Sequence, residues 1–137
     1  MAAISNYVSD LYLNLAFRSA GWTAIATVYV ALYTSNPNKD DSGIEMSSAG
    51  TTAYLRQAAT FDAPAAVSGI ETIQNTTDIT FPIATSDWGG ITHVGIKDAA
   101  ASDVGNLLWF GALTLAKTIN TGDRLKLLTG DLIVNLE

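Results

Sequence analysis

The stretch IATVYVALYT, Ile25–Thr34, decides the fold class of this chain of 137 residues. Most of its residues are β-branched or aromatic, the types that strands favour. Its side chains alternate between two apolar sets, which face opposite sides of a sheet. The two sets are Val28, Val30 and Leu32 on one face and Tyr29, Ala31 and Tyr33 on the other. The pattern therefore predicts a strand that is covered on both faces and lies inside a sheet.

Further strand-like segments follow at regular spacing. They are residues 54–61, 70–74, 78–81, 91–97, 106–116, 124–128 and 132–136. No helical pattern separates them, which excludes parallel βαβ units. The sequence predicts an all-β fold, an antiparallel, jelly-roll-like β-sandwich of about eight strands. The tripeptide TGD joins the last two strands, and Gly130 suits a tight turn, so we expect a hairpin there.

The N-terminal segment predicts one α-helix within residues 1–21, ahead of a β-sandwich at residues 22–137 in a single domain. Apolar residues recur at helical spacing on one face: Val8, Leu11, Tyr12, Leu15 and Ala16. Ser5 or Asn6 suits the N-cap, and Gly21 the C-cap. Leu13 and Phe17 lie off the apolar face, so we expect the helix to contact two surfaces, its own domain and a neighbour.

The composition narrows the function classes. Hydrophobic residues make up 48% of the chain and charged residues 15%, against about 25% charged in an average globular domain. We therefore expect a partner to cover part of the surface. The net charge of −6, without a basic cluster, argues against nucleic-acid binding. The N-terminus lacks a signal-peptide pattern and no apolar run is long enough to span a membrane, so we expect synthesis in the cytoplasm and no membrane contact.

Neither catalysis nor metal binding is indicated. The only histidine, His93, lies in SDWGGITHVGIKD (residues 86–98) without a GxSxG elbow or a recognisable orienting carboxylate. The loop NPNKDDSGIE (residues 36–45) resembles a calcium loop only until Gly43 is aligned, which places the required acidic ligand at Ala49. Cysteine is absent. We predict a protein that is not an enzyme and has no catalytic, metal or cofactor-binding residues.

Two further features point to binding. The polar connection Ser35–Gly50 is long for a compact domain, and such loops are usually functional or mobile. Trp109 and Phe110 are consecutive in a strand and must face opposite sides of it. We expect one of them to pack inside and the other to face outward or into a second layer, where an outward-facing ring could anchor a partner.

Several segments resemble a family of small tailed-phage virion proteins. They are ITFPIATSDWGGITHVGIKDAA (79–100), GNLLWFGALTLAKTINTGDRLKL (105–127), GDLIVNLE (130–137), NYVSDLYLNLAFR (6–18) and VYVALYTSNP (28–37). The most specific parts are the WG-x-ITHVGI core and the KT-x-N-x-GD turn. Members of the family are often labelled tail-fibre-like, and compact β-sandwich phage proteins of this size also serve as head decoration, or cement, proteins. The resemblance implies a structural protein without a catalytic motif.

These observations together predict a capsid decoration (cement) protein on the exterior of the virion head. It would bind the major capsid protein and stabilise the shell as a homo-oligomer, a dimer or trimer. The alternative is a tail or fibre/knob component that contacts the host surface, and a third possibility is a small sugar-binding module. The candidate partner-binding residues lie on the helix (Tyr7, Leu11, Tyr12 and Leu15) and in the long loop (Asn38, Lys39, Asp40 and Asp41).

Overall fold

The computed structural model describes residues 2–136. Its elements in chain order are β1 (Ala3–Ile4), α1 (Asn6–Arg18), β2 (Val28–Tyr33), β3 (Gln57–Ala59), β4 (Ala65–Val67), β5 (Ile70–Gln74), β6 (Ile79–Thr80), β7 (Gly89–Lys97), β8 (Leu107–Ile119), β9 (Lys126–Leu127) and β10 (Ile133–Leu136). All of the strand pairs are antiparallel. The predicted all-β sandwich with one N-terminal helix is confirmed. The sequence pattern did not predict the short strands β1 and β4.

Strand β2 lies inside a five-stranded sheet with the order β1-β8-β7-β2-β3. Val30 and Leu32 enter the main core, whereas Ala31 and Tyr33 enter a second, smaller apolar cluster. Alternate residues of one strand therefore fill two separate clusters, as the alternation predicted. The main core also contains Ile79 and Leu132 from the segments that pack on this sheet.

Trp109 and Phe110 face opposite sides of β8, as predicted. Trp109 lies in the main core and Phe110 in the second cluster. Both rings are buried. Phe110, on the side away from the main core, packs with Tyr33 and Leu107. The idea that one of them anchors a partner by facing outward is therefore wrong for this strand.

The last two strands do not form the expected hairpin. Strand β9 pairs with β6, and β10 pairs with β5. The buried side chain of Asn75 is one reason, since its Nδ2 donates to the carbonyl of Leu128 (2.9 Å) and its Oδ1 accepts from the N–H of Leu132 (2.9 Å). These bonds hold the connecting turn against the end of β5, so β10 continues beside β5.

The two TGD turns are built in the same way. The residue before each threonine donates its N–H to the aspartate of the tripeptide, Asn120 to Asp123 (3.0 Å) and Leu128 to Asp131 (2.8 Å). A second aspartate, distant in sequence, accepts from the N–H and hydroxyl of each threonine. Asp87 binds Thr121 (2.7 and 2.9 Å), and Asp78 binds Thr129 (2.9 and 3.1 Å). Each turn is thus held by two carboxylates.

Because ionised carboxylates hold these turns, we expect the protein to lose stability in acid. Hydrogen bonds from Lys126 and Thr129 lower the pKa of Asp78 to about 2. A pKa below the unfolded value means that the stabilisation is complete above about pH 4 and is lost as the pH falls towards 2. We expect thermal unfolding at pH 7, 4 and 2.5 to show a smaller acid-induced fall in Tm for Asp78→Asn than for the wild type. Asp10→Asn, at a carboxylate with no bond in the described chain, is the matched control, and an equal fall in Asp78→Asn would contradict the prediction.

Candidate functional site

Helix α1 is attached to the sandwich at its first turn. Strand β1 pairs with β8, and the buried Ser5 caps the helix by accepting from the N–H of Val8 (3.2 Å). The Ser5 hydroxyl in turn donates to the carbonyl of Leu107. Ser5 is thus the N-cap, one of the two predicted residues. The helix ends with Ser19 in the left-handed conformation (φ 54°) rather than at Gly21.

The rest of α1 leaves the sandwich, and none of its residues is buried. Val8 packs against the main core. Beyond it Tyr12 and Leu15 are 51% and 46% exposed on the predicted apolar face, while Leu13 and Phe17 are 53% and 78% exposed on the opposite face. A helix that is apolar on both sides is normally buried. In this chain neither face is fully buried and only Val8 packs on the core, which makes α1 the strongest candidate interaction element.

The long loop is ordered by specific contacts. A Cβ on Gly43 would lie 2.5 Å from the Cα of Pro37, so only glycine fits this close approach. Asp41 accepts a hydrogen bond from the hydroxyl of Tyr33 (2.7 Å) and pairs with the buried Lys97. Burial and the bond to Asp41 raise the pKa of Tyr33 well above its ordinary value. These contacts hold the loop in a defined shape.

The structure brings part of the two predicted surfaces together. The N–H of Asn6 donates to the carbonyl of Lys39 (2.8 Å), and an open cavity of about 350 Å³ lies beside this contact. Its lining comprises Ser5, Asn6, Tyr7, Lys39, Asp40, Asp41, Gly105, Asn106 and Leu107. Four of the eight predicted residues thus line one cavity, while Leu11, Tyr12, Leu15 and Asn38 do not.

A buried ion pair that the sequence reasoning missed supports this region. Arg56 donates from Nε and Nη2 to the two carboxylate oxygens of Glu45, at 2.7 and 2.6 Å. Its Nη1 donates to the carbonyls of Ala99 (2.7 Å) and Val104 (2.9 Å). Burial opposes the charge of Arg56, but the bonds to Glu45 prevail and raise its pKa. Nothing in the sequence links residues this far apart.

His93 lies in β7 and makes a local contact. Its Nδ1 is 2.9 Å from the hydroxyl of Thr92, and burial lowers its pKa. Between Ala2 and Leu136 the structure places no group of three or more His, Cys, Asp or Glu side chains where they could hold a metal ion. Across the same residues, no helix is long and apolar enough to cross a membrane.

The comparison with known families identifies the family of this chain. Residues 3–135 match the family described as podophage GP4 fiber I protein gp80. The chain belongs to this family. It is thus a phage structural protein of the fibre type and a component of the phage virion, which the resemblance to virion proteins predicted. The fibre I family favours the fibre alternative over capsid decoration. No curated protein matches the chain significantly.

The ion pair gives a test of what holds the region together. Replacing Arg56 with alanine leaves Glu45 buried without a counter-charge, and such a loss costs about 3–5 kcal/mol. We expect Arg56→Ala to lower the free energy of urea unfolding by this amount. The exposed Arg18→Ala should change it by less than about 0.5 kcal/mol. Equal changes in the free energy of unfolding for the two substitutions would show that the buried ion pair stabilises the fold no more than an exposed arginine does.

Proposed function

We propose that this protein is a non-enzymatic component of a podophage fibre and joins the virion through helix α1. One observation carries the proposal: α1 is apolar on two opposite faces, yet only Val8 packs against the main core and no residue of the helix is fully buried. Membership of a fibre family supplies the setting in which a partner would cover it. The protein would act by binding alone, as the sequence predicted.

The packing of Val8 supports α1 as the attachment element. Tyr12 and Leu15 continue the face on which Val8 already packs, so a partner seated there would extend the main core. Each Å² of apolar area that the partner covers stabilises the contact by roughly 25 cal/mol, less the cost of association. Many copies in one particle would multiply a modest contact by avidity.

The cavity at the start of α1 supplies a polar edge to this surface. Tyr7 borders it with Lys39 and Asp40, which resembles the usual arrangement of an apolar interface centre within a polar rim. Under this proposal the partner is a protein of the fibre or tail, and the major capsid protein is the partner only in the decoration hypothesis.

Copy number and position in the particle test the proposal. Immunogold labelling and quantitative mass spectrometry of intact particles should find this protein in low copy number at the tail vertex. Hundreds of copies spread over the head would overturn the fibre assignment and favour decoration of the capsid.

A pair of variants tests the role of α1. Particles that carry Tyr12→Ser with Leu15→Ser should contain at least about tenfold fewer copies, a loss of roughly 1.4 kcal/mol in binding. The control is Leu115→Ser with Leu128→Ser, because these side chains are similarly exposed (68% and 52%) and lie outside both the helix and the long loop. Full incorporation of the α1 variant would rule out this face as the attachment surface.

A further inference from the structure

An apolar groove lies on the sandwich beside β1. It has a volume of about 220 Å³ between β1 and the three-stranded sheet β10-β5-β4. Its lining comprises Ile4, Pro64, Glu71, Thr72, Ile73, Val134, Asn135 and Leu136. Glu71 is the only charged residue among them. The groove is thus shaped and lined to accept an apolar side chain.

Helix α1 of the same chain does not fill the groove. Phe17 is 78% exposed, the highest value among the large hydrophobic residues of the described chain. The helix begins two residues after Ile4 and carries Phe17 roughly 16 Å along its axis from Asn6. A straight helix of this length keeps Phe17 away from the groove at its own base. The chain therefore exposes both an apolar projection and an apolar groove, at different places.

We infer that the Leu13–Phe17 face of α1 docks in the apolar groove of a second copy of this chain. The inference rests on the proposed function, in which α1 is an assembly element, and gives its second face an occupant. The Tyr12–Leu15 face is left for the partner in the particle. A helix with two apolar faces thus contacts two neighbours.

Charge complementarity supports a second copy as the occupant. Arg18 follows Phe17 directly, and its one hydrogen bond in the described chain is an exposed contact with Asn14 (3.3 Å). Glu71 lines the groove and makes no ion pair within residues 2–136. With Phe17 in the groove, the adjacent Arg18 would lie within reach of the carboxylate of Glu71. One attractive pair would then form where two chains of net charge −6 otherwise repel each other.

The positions of the two surfaces determine which assemblies can form. The projection and the groove are different surfaces of one chain. Two copies that exchange helices therefore close a dimer, and copies that pass the helix in one direction form a ring or a row.

A charge-reversal cycle on the full chain tests the contact. Sedimentation equilibrium over a range of concentrations measures the self-association of the wild type, Arg18→Glu, Glu71→Arg and the double variant. We expect each single reversal to weaken association at least about tenfold and the double variant to recover to within about threefold of the wild type. Phe17→Ala should abolish association. Arg124→Glu is the matched control at an exposed arginine on another surface.

Three results would overturn the inference: a wild type that stays monomeric at high concentration, a double variant no better than the single ones, or unchanged association of Phe17→Ala. Circular dichroism and Tm identify any variant that fails to fold. If Phe17→Ala is one of them, Phe17→Gln replaces it, because glutamine is polar and a good helix former. Failure of this cycle is distinct from failure of the proposed function. A monomeric wild type together with loss of the Tyr12→Ser, Leu15→Ser variant from particles would remove the docking contact and leave the attachment role of α1 standing.

Discussion

The buried ion pair between Arg56 and Glu45 holds together the side of the molecule on which the candidate site lies. One guanidinium binds both carboxylate oxygens and two backbone carbonyls of the 99–104 segment. The joined segments have little regular secondary structure, so few ladder hydrogen bonds fix them. Because both charges are buried, neither can lose its partner without a large desolvation cost. The long loop therefore keeps one shape, and the cavity at the start of α1 keeps its lining.

Much of the sheet could be predicted from the sequence because alternation is a local property. Strand β2 fills two clusters with alternate residues, and Trp109 and Phe110 divide between the same two clusters. The pairing of β9 and β10 could not be predicted in this way. It depends on the side chain of Asn75 and on Asp78, which lies 51 residues from the threonine it binds. Contacts of that range leave no periodic signal.

The candidate site likewise has features that local sequence patterns predict and features that only the folded chain shows. The two apolar faces of α1 follow from helical spacing, and Ser5 and Leu13 could be identified from the sequence alone. That the helix finds no place in its own core depends on where the sheet ends, which no local pattern records. The meeting of Asn6 with Lys39 likewise requires the folded sandwich. The sequence therefore predicts which residues of the helix are apolar, and the fold shows which of them remain exposed.

Helix α1 is fixed at its first turn by Ser5, whereas its later turns contact little of their own domain. Such a helix has low local stability until a partner covers it. Amide hydrogen exchange of residues 10–18, compared between dilute purified protein and intact phage particles, measures this most directly. We predict fast exchange in the dilute protein and strong protection in the particle. Equal exchange rates in both states would contradict the role of α1 in assembly.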